Sequence, residues 1–246
     1  MVHSLLLQCI FKNPSILLSS FLNRTNENAT HLVLSHASQS IILNSLRSSR
    51  IQHTNTIQYN TKQYNAIAGF CNNDQFDRPT AGAANVCMDS ITLNADGTVS
   101  EASIEQFEVV LIHEVGHVLG FIANAFSLFW DTQTRQRRTP RPFEITNVKC
   151  VNGETITIKG FPSENTIQFI DDPLSSKRTA YLVTPRVKSV ARNQFNCHDL
   201  EGAALENTPT MAGDCIGSHW DERLFYSESM SGIISPTTNI MSPLSK

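Results

Sequence analysis

The sequence predicts an α+β fold, in which short strands and a long amphipathic helix precede a longer and less regular half of the chain. Between residues 64 and 94, small and apolar residues alternate around Gly69, Pro79 and Gly82, as they do in strands joined by turns. Apolar residues then recur at helical spacing from residue 104 to residue 118, which indicates one buried helix face. With 246 residues, the chain can bury a sizeable core as one large domain or as two lobes around a cleft.

Composition and charge exclude several classes of partner. With 40% apolar and 17% charged residues, the chain is typical of a soluble globular protein. Its net charge of -3 gives no reason to expect nucleic acid or an anionic membrane surface as the partner. No uninterrupted apolar run reaches the roughly 18 residues typical of a membrane-spanning helix, so we do not expect one.

The cysteines bear on the compartment in which the protein works. Six cysteines occur without a C-x-x-C pair, which argues against a structural zinc site built from thiolates. Scattered cysteines more commonly form disulfides, which persist in oxidising compartments. We therefore expect an extracellular or membrane-associated protein of the secretory pathway, with a cytoplasmic location as the alternative.

The first segment, residues 1–63, has a different texture and is hard to assign. Apolar patches at 31–34 and 41–43 could form short strands. The short apolar run at the start lacks a basic region before it and is interrupted by Lys12 and Pro14. A cleaved signal peptide therefore remains one alternative, and an ordinary buried segment or an inaccurate start is the other.

The predicted long helix carries polar residues on one flank. Ser103 and Gln106 have the spacing of a capping box at its start, and Gly120 is a residue that lets the chain turn away at its end. At about 100° per residue, His113 and His117 are about 40° apart around the helix axis. Glu114 lies alongside them, so the three polar side chains share one side of the helix.

These three residues form the motif H-E-x-x-H, which is typical of a catalytic zinc helix. A hydrolytic zinc needs three protein ligands and one open position for water. His113 and His117 would provide two neutral nitrogens at a fixed separation. Glu114 would act as general base, because zinc lowers the pKa of bound water toward about 7. The motif thus predicts one catalytic Zn²⁺ ion.

The third ligand is missing from its expected place. The longer pattern H-E-x-x-H-x-x-G-x-x-H has a histidine at the position that Ala123 occupies here. Asp131 or Glu144 could replace it, but Gly120 suits a chain that turns under the metal. Downstream histidines are His198, for which a surface role is favoured, and His219. His219 is the favoured candidate, since Met230 follows eleven residues later in a turn-like context. In metzincins a methionine-containing turn lies under the metal after the third histidine.

The remaining elements are predicted from local patterns. The arginine-rich stretch 131–144 should be a solvated loop, with a proteolytic nicking site or an anionic docking patch as alternatives. Residues 154–159 alternate like a strand. Thr184 should cap a second helix that has Pro185 at its first position. Residues 202–246 should be irregular, with short helical pieces.

Several segments together resemble the leishmanolysin family, which includes invadolysin. They are FCNNDQFDRPTAGAANV, HEVGHVLGF, the segment from YLVTPRV to LEN, and GSHWDERLFYSESMSG. This family consists of metzincin proteases in which an insertion separates the zinc helix from the third histidine, and the similarity covers roughly residues 64–241. It implies a zinc endopeptidase acting on proteins or peptides. Its implied site residues are the ligands His113, His117 and His219, the general base Glu114, and Met230 in a methionine-containing turn.

The resemblance also implies a fold. We expect a zincin- or metzincin-like catalytic domain, with a twisted sheet and the zinc helix in an N-terminal lobe, residues 64–126. The rest, residues 127–246, would be the insertion and an irregular C-terminal lobe carrying the third ligand and the methionine turn. Because family members continue beyond that turn, the chain looks truncated, and membrane association would depend on parts absent from it.

Two further expectations follow from the departures from the family. Cysteines like Cys71 and Cys197 have partners outside the matched core in the family, so Cys87 and Cys150 could serve as substitutes. A catalytically silent relative that acts as a binding or cell-adhesion module is the main functional alternative. A zinc hydrolase that does not act on peptides is the third.

Overall fold

A computed structural model describes residues 4–10, 66–87, 92–174, 176–208, 214–234 and 240–245. By its internal contacts the chain divides into two compact units, Met1–Cys9 with Asn65–Lys246, and Ile10–Tyr64. The short strands expected at 31–34 and 41–43 lie outside the described residues. The described part mixes helices and sheets, so the α+β prediction is confirmed at that level.

The first sheet has three strands, in the order β1-β3-β2. They are β1 (Ser4–Ile10), β2 (Ala66–Asn73) and β3 (Pro79–Cys87), and β2 pairs with β3 as an antiparallel hairpin. Residues Ser4–Ile10 thus form an edge strand of this sheet, beside β3. Gly82 of β3 lies so close to Val118 that a Cβ atom would overlap its side chain. This close approach packs the long helix against the hairpin.

Helix α1, Glu101–Val118, has its N-cap three residues before the predicted one. Ser100 is the N-cap, and its hydroxyl accepts a hydrogen bond from the backbone N–H of Ser103 at 3.3 Å. The capping box of Ser103 and Gln106 was therefore wrong. Ser103 instead lies in the first turn, where its hydroxyl accepts a bond from the backbone N–H of Thr92 at 2.9 Å.

The end of α1 is a left-handed turn at Gly120, where φ is +109°. The N–H of Gly120 donates to the carbonyl of His117 at 3.1 Å, and that of Phe121 donates to the carbonyl of Gly116 at 3.0 Å. This pair of bonds is the Schellman arrangement, which satisfies carbonyls left free at a helix end. The chain then turns into a short 3-10 helix, Ala123–Leu128.

By length and composition alone, the segment Glu101–Leu128 is apolar enough to cross a membrane. The sequence analysis did not expect a membrane-spanning helix here, because polar residues interrupt the apolar run. Of its most apolar window, 56% is buried inside the protein. A core helix satisfies the same criteria, and α1 packs against β2 and β3 as such a helix does.

The second half of the chain wraps a buried aromatic and aliphatic core. Helix α2, Pro185–Phe195, has Thr184 at its N-cap as predicted, although the Thr184 side chain makes no capping hydrogen bond. The core centres on Trp220, Phe126, Phe225, Ile167, Leu182 and Leu205. The other elements are the hairpin of β4 (Ile145–Lys149) and β5 (Thr155–Lys159), the sheet of β6 (Ile167–Asp171), β7 (Arg178–Leu182) and β8 (Ala203–Ala204), and the short helix α3 (Glu222–Phe225).

The arginine-rich stretch is a loop of mostly exposed residues, as the sequence predicted, but several of its arginines are held by ion pairs. Arg137 and Arg141 both pair with Asp77 in the β2–β3 turn, at 3.0 and 3.2 Å. Arg138 is buried and pairs with Asp131 at 2.9 Å. The sequence did not indicate these ion pairs, because the acidic partner of two of the arginines lies about sixty residues earlier, which composition alone does not reveal.

One disulfide joins Cys150 to Cys215, which are 65 residues apart in sequence. Cys150 therefore does not substitute as a partner for Cys71 or Cys197, whose thiols are free and exposed. Closing a loop of this length stabilises the folded state by about 4 kcal/mol in the chain-entropy description. The bridge also anchors the segment that leads into His219.

Candidate metal centre

Three histidine side chains converge at the flank of α1. The Nε2 atom of His117 lies 3.0 Å from that of His113 and 3.2 Å from that of His219, and the latter two are 3.2 Å apart. His113 and His117 are buried, and the His219 side chain is 14% exposed. The helix supplies the first two through its one-turn spacing, and the fold brings the third from 102 residues further along.

The remaining ring nitrogens define the tautomers. Each Nδ1 atom lies 2.6 Å from an oxygen that can only accept a hydrogen bond, so each Nδ1 carries the hydrogen. The three Nε2 atoms consequently present lone pairs to one another. Such outward hydrogen bonds are typical of metal-binding histidines. The acceptors are the carbonyls of Ser229 and Phe121 for His113 and His117, and Oε1 of Glu206 for His219.

This donor set fits zinc. Three lone pairs cannot hydrogen-bond to each other, whereas a tetrahedral Zn²⁺ with nitrogens at about 2.0–2.1 Å would hold them about 3.3 Å apart. Burial lowers the pKa of His113 to about 3 and that of His117 to about 4, so both rings are neutral and available to a metal at neutral pH. Among the described residues, these three histidines are the cluster suited to hold a metal ion.

The other candidate third ligands lie elsewhere. Asp131 is paired with Arg138, and Glu144 and His198 are exposed. Ala123, at the position of the absent third histidine, donates its backbone N–H to the hydroxyl of Ser218 at 3.0 Å. The backbone after the helix is thereby fastened to the residue that precedes His219.

Glu114 lies next to His113 and is 4% exposed. Its Oε2 atom is buried and has no hydrogen-bond partner among the described residues. Burial raises the pKa of the carboxyl group to about 7, because a low-dielectric environment disfavours the charged form. A carboxyl group with that pKa can both take up and release a proton near neutral pH.

Met230 lies beneath this flank of the helix and is 1% exposed. Its side chain packs on Gly116, where a Cβ atom would overlap the sulfur. The backbone N–H of Trp220 donates to the carbonyl of Met230 at 2.8 Å. The preceding residue, Ser229, accepts the hydrogen bond from His113. The segment around Met230 is therefore joined both to α1 and to the residue after His219.

The sequence did not point to Glu206 or to the carbonyls of Ser229 and Phe121. Every residue has a backbone carbonyl, so the amino-acid sequence does not show which carbonyls accept these hydrogen bonds. Glu206 is one acidic residue among many and lies thirteen positions before His219, which matches no periodic pattern. A search for carboxylates able to orient a metal-binding histidine would have included it, without singling it out.

Comparisons with known proteins identify related sequences. A model of the peptidase family described as leishmanolysin matches residues 51–244. The chain is 32% identical over 175 residues to the leishmanolysin-like peptidase of Drosophila pseudoobscura pseudoobscura. It is 30% and 29% identical to those of Drosophila melanogaster and Caenorhabditis elegans. These alignments cover 68% of this chain, and the chain spans about a quarter of the length of the relatives, 24–25%.

The family resemblance that the motifs indicated is confirmed by these matches. Neither the comparisons nor the described residues give support to a cell-adhesion role or to membrane association. The division into lobes at residues 64–126 and 127–246 stays a prediction.

Proposed function

Because the chain belongs to the leishmanolysin family, a family of metallopeptidases, we propose that it is a zinc-dependent endopeptidase hydrolysing internal peptide bonds of proteins or peptides. One observation carries the proposal: the nitrogens of three imidazole rings converge within 3.2 Å beside a buried carboxyl group. That combination matches the ligands and base that metal-assisted hydrolysis needs.

We assign His113, His117 and His219 as the ligands of one catalytic zinc ion. When bound there, zinc supplies Lewis acidity that lowers the pKa of water and polarises the scissile carbonyl. The outward hydrogen bonds of the three Nδ1 atoms keep the rings from rotating, so their Nε2 atoms stay directed at a common point.

Glu114 acts as the proton carrier. Its carboxylate removes a proton from the attacking water, whose oxygen forms the new bond to the carbonyl carbon. It then donates the proton to the amine nitrogen as the carbon–nitrogen bond breaks, which yields a carboxylic acid and an amine. Its buried Oε2 atom has no hydrogen-bond partner among the described residues, so it is available to the attacking water.

Met230 and Gly120 have supporting roles in this proposal. The Met230 side chain forms an apolar floor beneath the turn of α1 that carries the ligands. Gly120 redirects the chain immediately after the helix, which lets the Phe121 carbonyl face His117. A metzincin-like arrangement of two lobes around this site is part of the same proposal.

We also propose that the protein works in the secretory pathway or outside the cell. The Cys150–Cys215 disulfide supports this location, because such bridges persist in oxidising compartments.

The test compares the purified chain with Glu114→Ala. The parent is expected to contain about one zinc per chain and to cleave casein or a mixed peptide library. Glu114→Ala should keep most of its zinc, since Glu114 is not a ligand, and lose cleavage. A variant that cleaves as well as the parent would contradict the mechanism. A folded, zinc-loaded parent that cleaves neither substrate would contradict the proposed activity.

A further inference from the structure

Glu206 is bonded to the segment of His219 at three points. Its Oε1 atom accepts hydrogen bonds from His219 Nδ1 at 2.6 Å and from the backbone N–H of Ser218 at 3.0 Å. Its own backbone N–H donates to the carbonyl of His219 at 2.9 Å. One residue therefore fixes the ring of His219 and the backbone on both sides of it.

The side chain of Glu206 is closely packed. A Cβ atom at Gly217 would overlap the Glu206 side chain, and one at Gly232 would be 3.4 Å from its Oε2 atom. The Glu206 side chain is only 14% exposed. Next to it, Leu205 pairs with Trp220 in an isolated bridge, and both residues are fully buried. The backbone that presents Glu206 is thus anchored in the core.

His219 depends on such a partner more than the other two histidines do. His113 and His117 are held one turn apart by α1, and each donates to a backbone carbonyl. His219 lies in an irregular segment just before the short helix α3, and its acceptor is a carboxylate. A carboxylate acceptor fixes the ring and also makes its other nitrogen a stronger metal ligand.

We propose that Glu206 is a positioning residue that orients His219 for metal binding and places a negative charge behind that ligand. The inference rests on the proposed zinc site and deepens it. Glu206 thus fixes the orientation of His219, as α1 fixes the positions of His113 and His117. It contacts neither the peptide nor the metal, and its effect reaches the metal through the imidazole ring.

If Glu206 only held the fold together, Glu206→Gln would keep the parent's zinc affinity, whereas a positioning role with a negative charge predicts weaker binding. The glutamine oxygen can accept the same bonds from Ser218 and His219, so the metal-free protein should unfold at the parent's denaturant concentration. The lost charge should nevertheless weaken zinc binding about tenfold. Glu206→Ala, which removes the acceptor as well, should weaken zinc binding further, within the roughly 10–100-fold range typical of such partners.

Glu222→Gln is the matched control. Glu222 also approaches Gly232, with its Oε2 atom 3.6 Å from the position a Cβ would take there. The substitution removes one negative charge from the same neighbourhood without touching the bond to His219. It should leave zinc affinity within about twofold of the parent, since a charge that is not bonded to the ligand is largely screened.

The experiment measures zinc dissociation constants by chelator competition at one fixed neutral pH, and the visible spectrum of the cobalt(II)-loaded proteins. We expect Glu206→Gln to lose zinc affinity and to shift the visible bands of its cobalt(II) form. Glu222→Gln should show neither change. Parent-like affinity and spectrum in Glu206→Gln would overturn the inference. His117→Ala serves as a check on the site itself. If that variant binds zinc as tightly as the parent, the proposed metal site is wrong and the inference falls with it.

Discussion

The Met230 side chain lies so close to Gly116 that a Cβ atom at position 116 would overlap the methionine sulfur. Gly116 belongs to the turn of α1 between His113 and His117. The contact brings the segment after His219 directly under the two helical ligands. Glycine is unfavourable within a helix by about 1 kcal/mol relative to alanine, so its presence here is explained by this close packing.

Gly116→Ala should therefore destabilise the protein, although alanine is the better helix former. Overpacking at this site should lower the free energy of unfolding by about 1–3 kcal/mol, measured by urea denaturation of the metal-free protein. Glu105→Ala, at an exposed position of the same helix, is the control and should change stability by less than about 0.5 kcal/mol. Adding Met230→Ala to Gly116→Ala should give a loss smaller than the sum of the two single losses. Additive losses would mean that the two side chains do not compete for space.

Replacing Cys150 and Cys215 by serine should destabilise the fold by about 2–5 kcal/mol. The variant should also bind zinc more weakly, since Cys215 anchors the segment that carries His219. Denaturant unfolding and chelator competition would measure the two effects. Cys197→Ser, which removes a free exposed thiol, is the control. Unchanged stability and zinc affinity in the double variant would show that the bridge does not support the site.

Removing Asp77 should release the arginine-rich stretch. Asp77 accepts bonds from Trp130, Arg137 and Arg141 and adopts a left-handed backbone conformation with φ of 59°, which aspartate and asparagine tolerate better than alanine. Asp77→Ala should therefore be cleaved faster by trypsin after Arg137, whereas the Arg141–Pro142 bond resists trypsin in every variant. Asp77→Asn should be affected less. Mass spectrometry of a limited digest identifies the cleavage sites. Equal cleavage rates in parent and both variants would contradict the tethering described here.

Acid should destabilise the metal-free protein through the buried histidines. Burial lowers the pKa of His113 to about 3 and of His117 to about 4, so between these values and about 6.5 the unfolded chain binds more protons. Their contribution to stability is thus present above pH 6.5 and lost as the pH falls toward 4. The pKa of Glu114 is raised to about 7, so this group stabilises the folded state as the pH falls from about 7 to 4.5. Its contribution is smaller than the combined loss from the two histidines.

The free energy of unfolding of the chelator-treated protein, measured by urea denaturation, should therefore fall between pH 6.5 and 4.5. Glu114→Gln should make the fall steeper, because it removes the opposing group. A profile that rises toward pH 4.5 in the parent would contradict the burial of two neutral histidines.

The motif residues on α1 could be predicted because a helix converts sequence spacing into geometry. His113 and His117 are one turn apart in any α-helix, and their neighbours show which face is apolar. The position of Met230 made His219 the favoured third ligand, but only the family resemblance assigned it, since no local rule connects residues that the fold brings together from 102 positions apart. The cap was misplaced by three residues because Ser100 and Ser103 are both suited to capping.

Other features were beyond a single sequence for physical reasons. The cost of closing a loop changes slowly with its length, so cysteine spacing could not identify the Cys150–Cys215 pair. The ion pairs of Asp77 depend on how the hairpin turn and the arginine-rich stretch meet in three dimensions. The bond of Glu206 to His219 is likewise a product of tertiary structure.

The zinc affinity of His219→Ala, with His198→Ala as the matched control, tests directly whether these three histidines hold the metal. We expect His219→Ala to lose zinc affinity by at least about tenfold, together with peptide cleavage. His198→Ala should behave like the parent, since His198 is exposed and away from the cluster. A His219→Ala protein with the parent's zinc affinity and activity would show that His219 is not a zinc ligand.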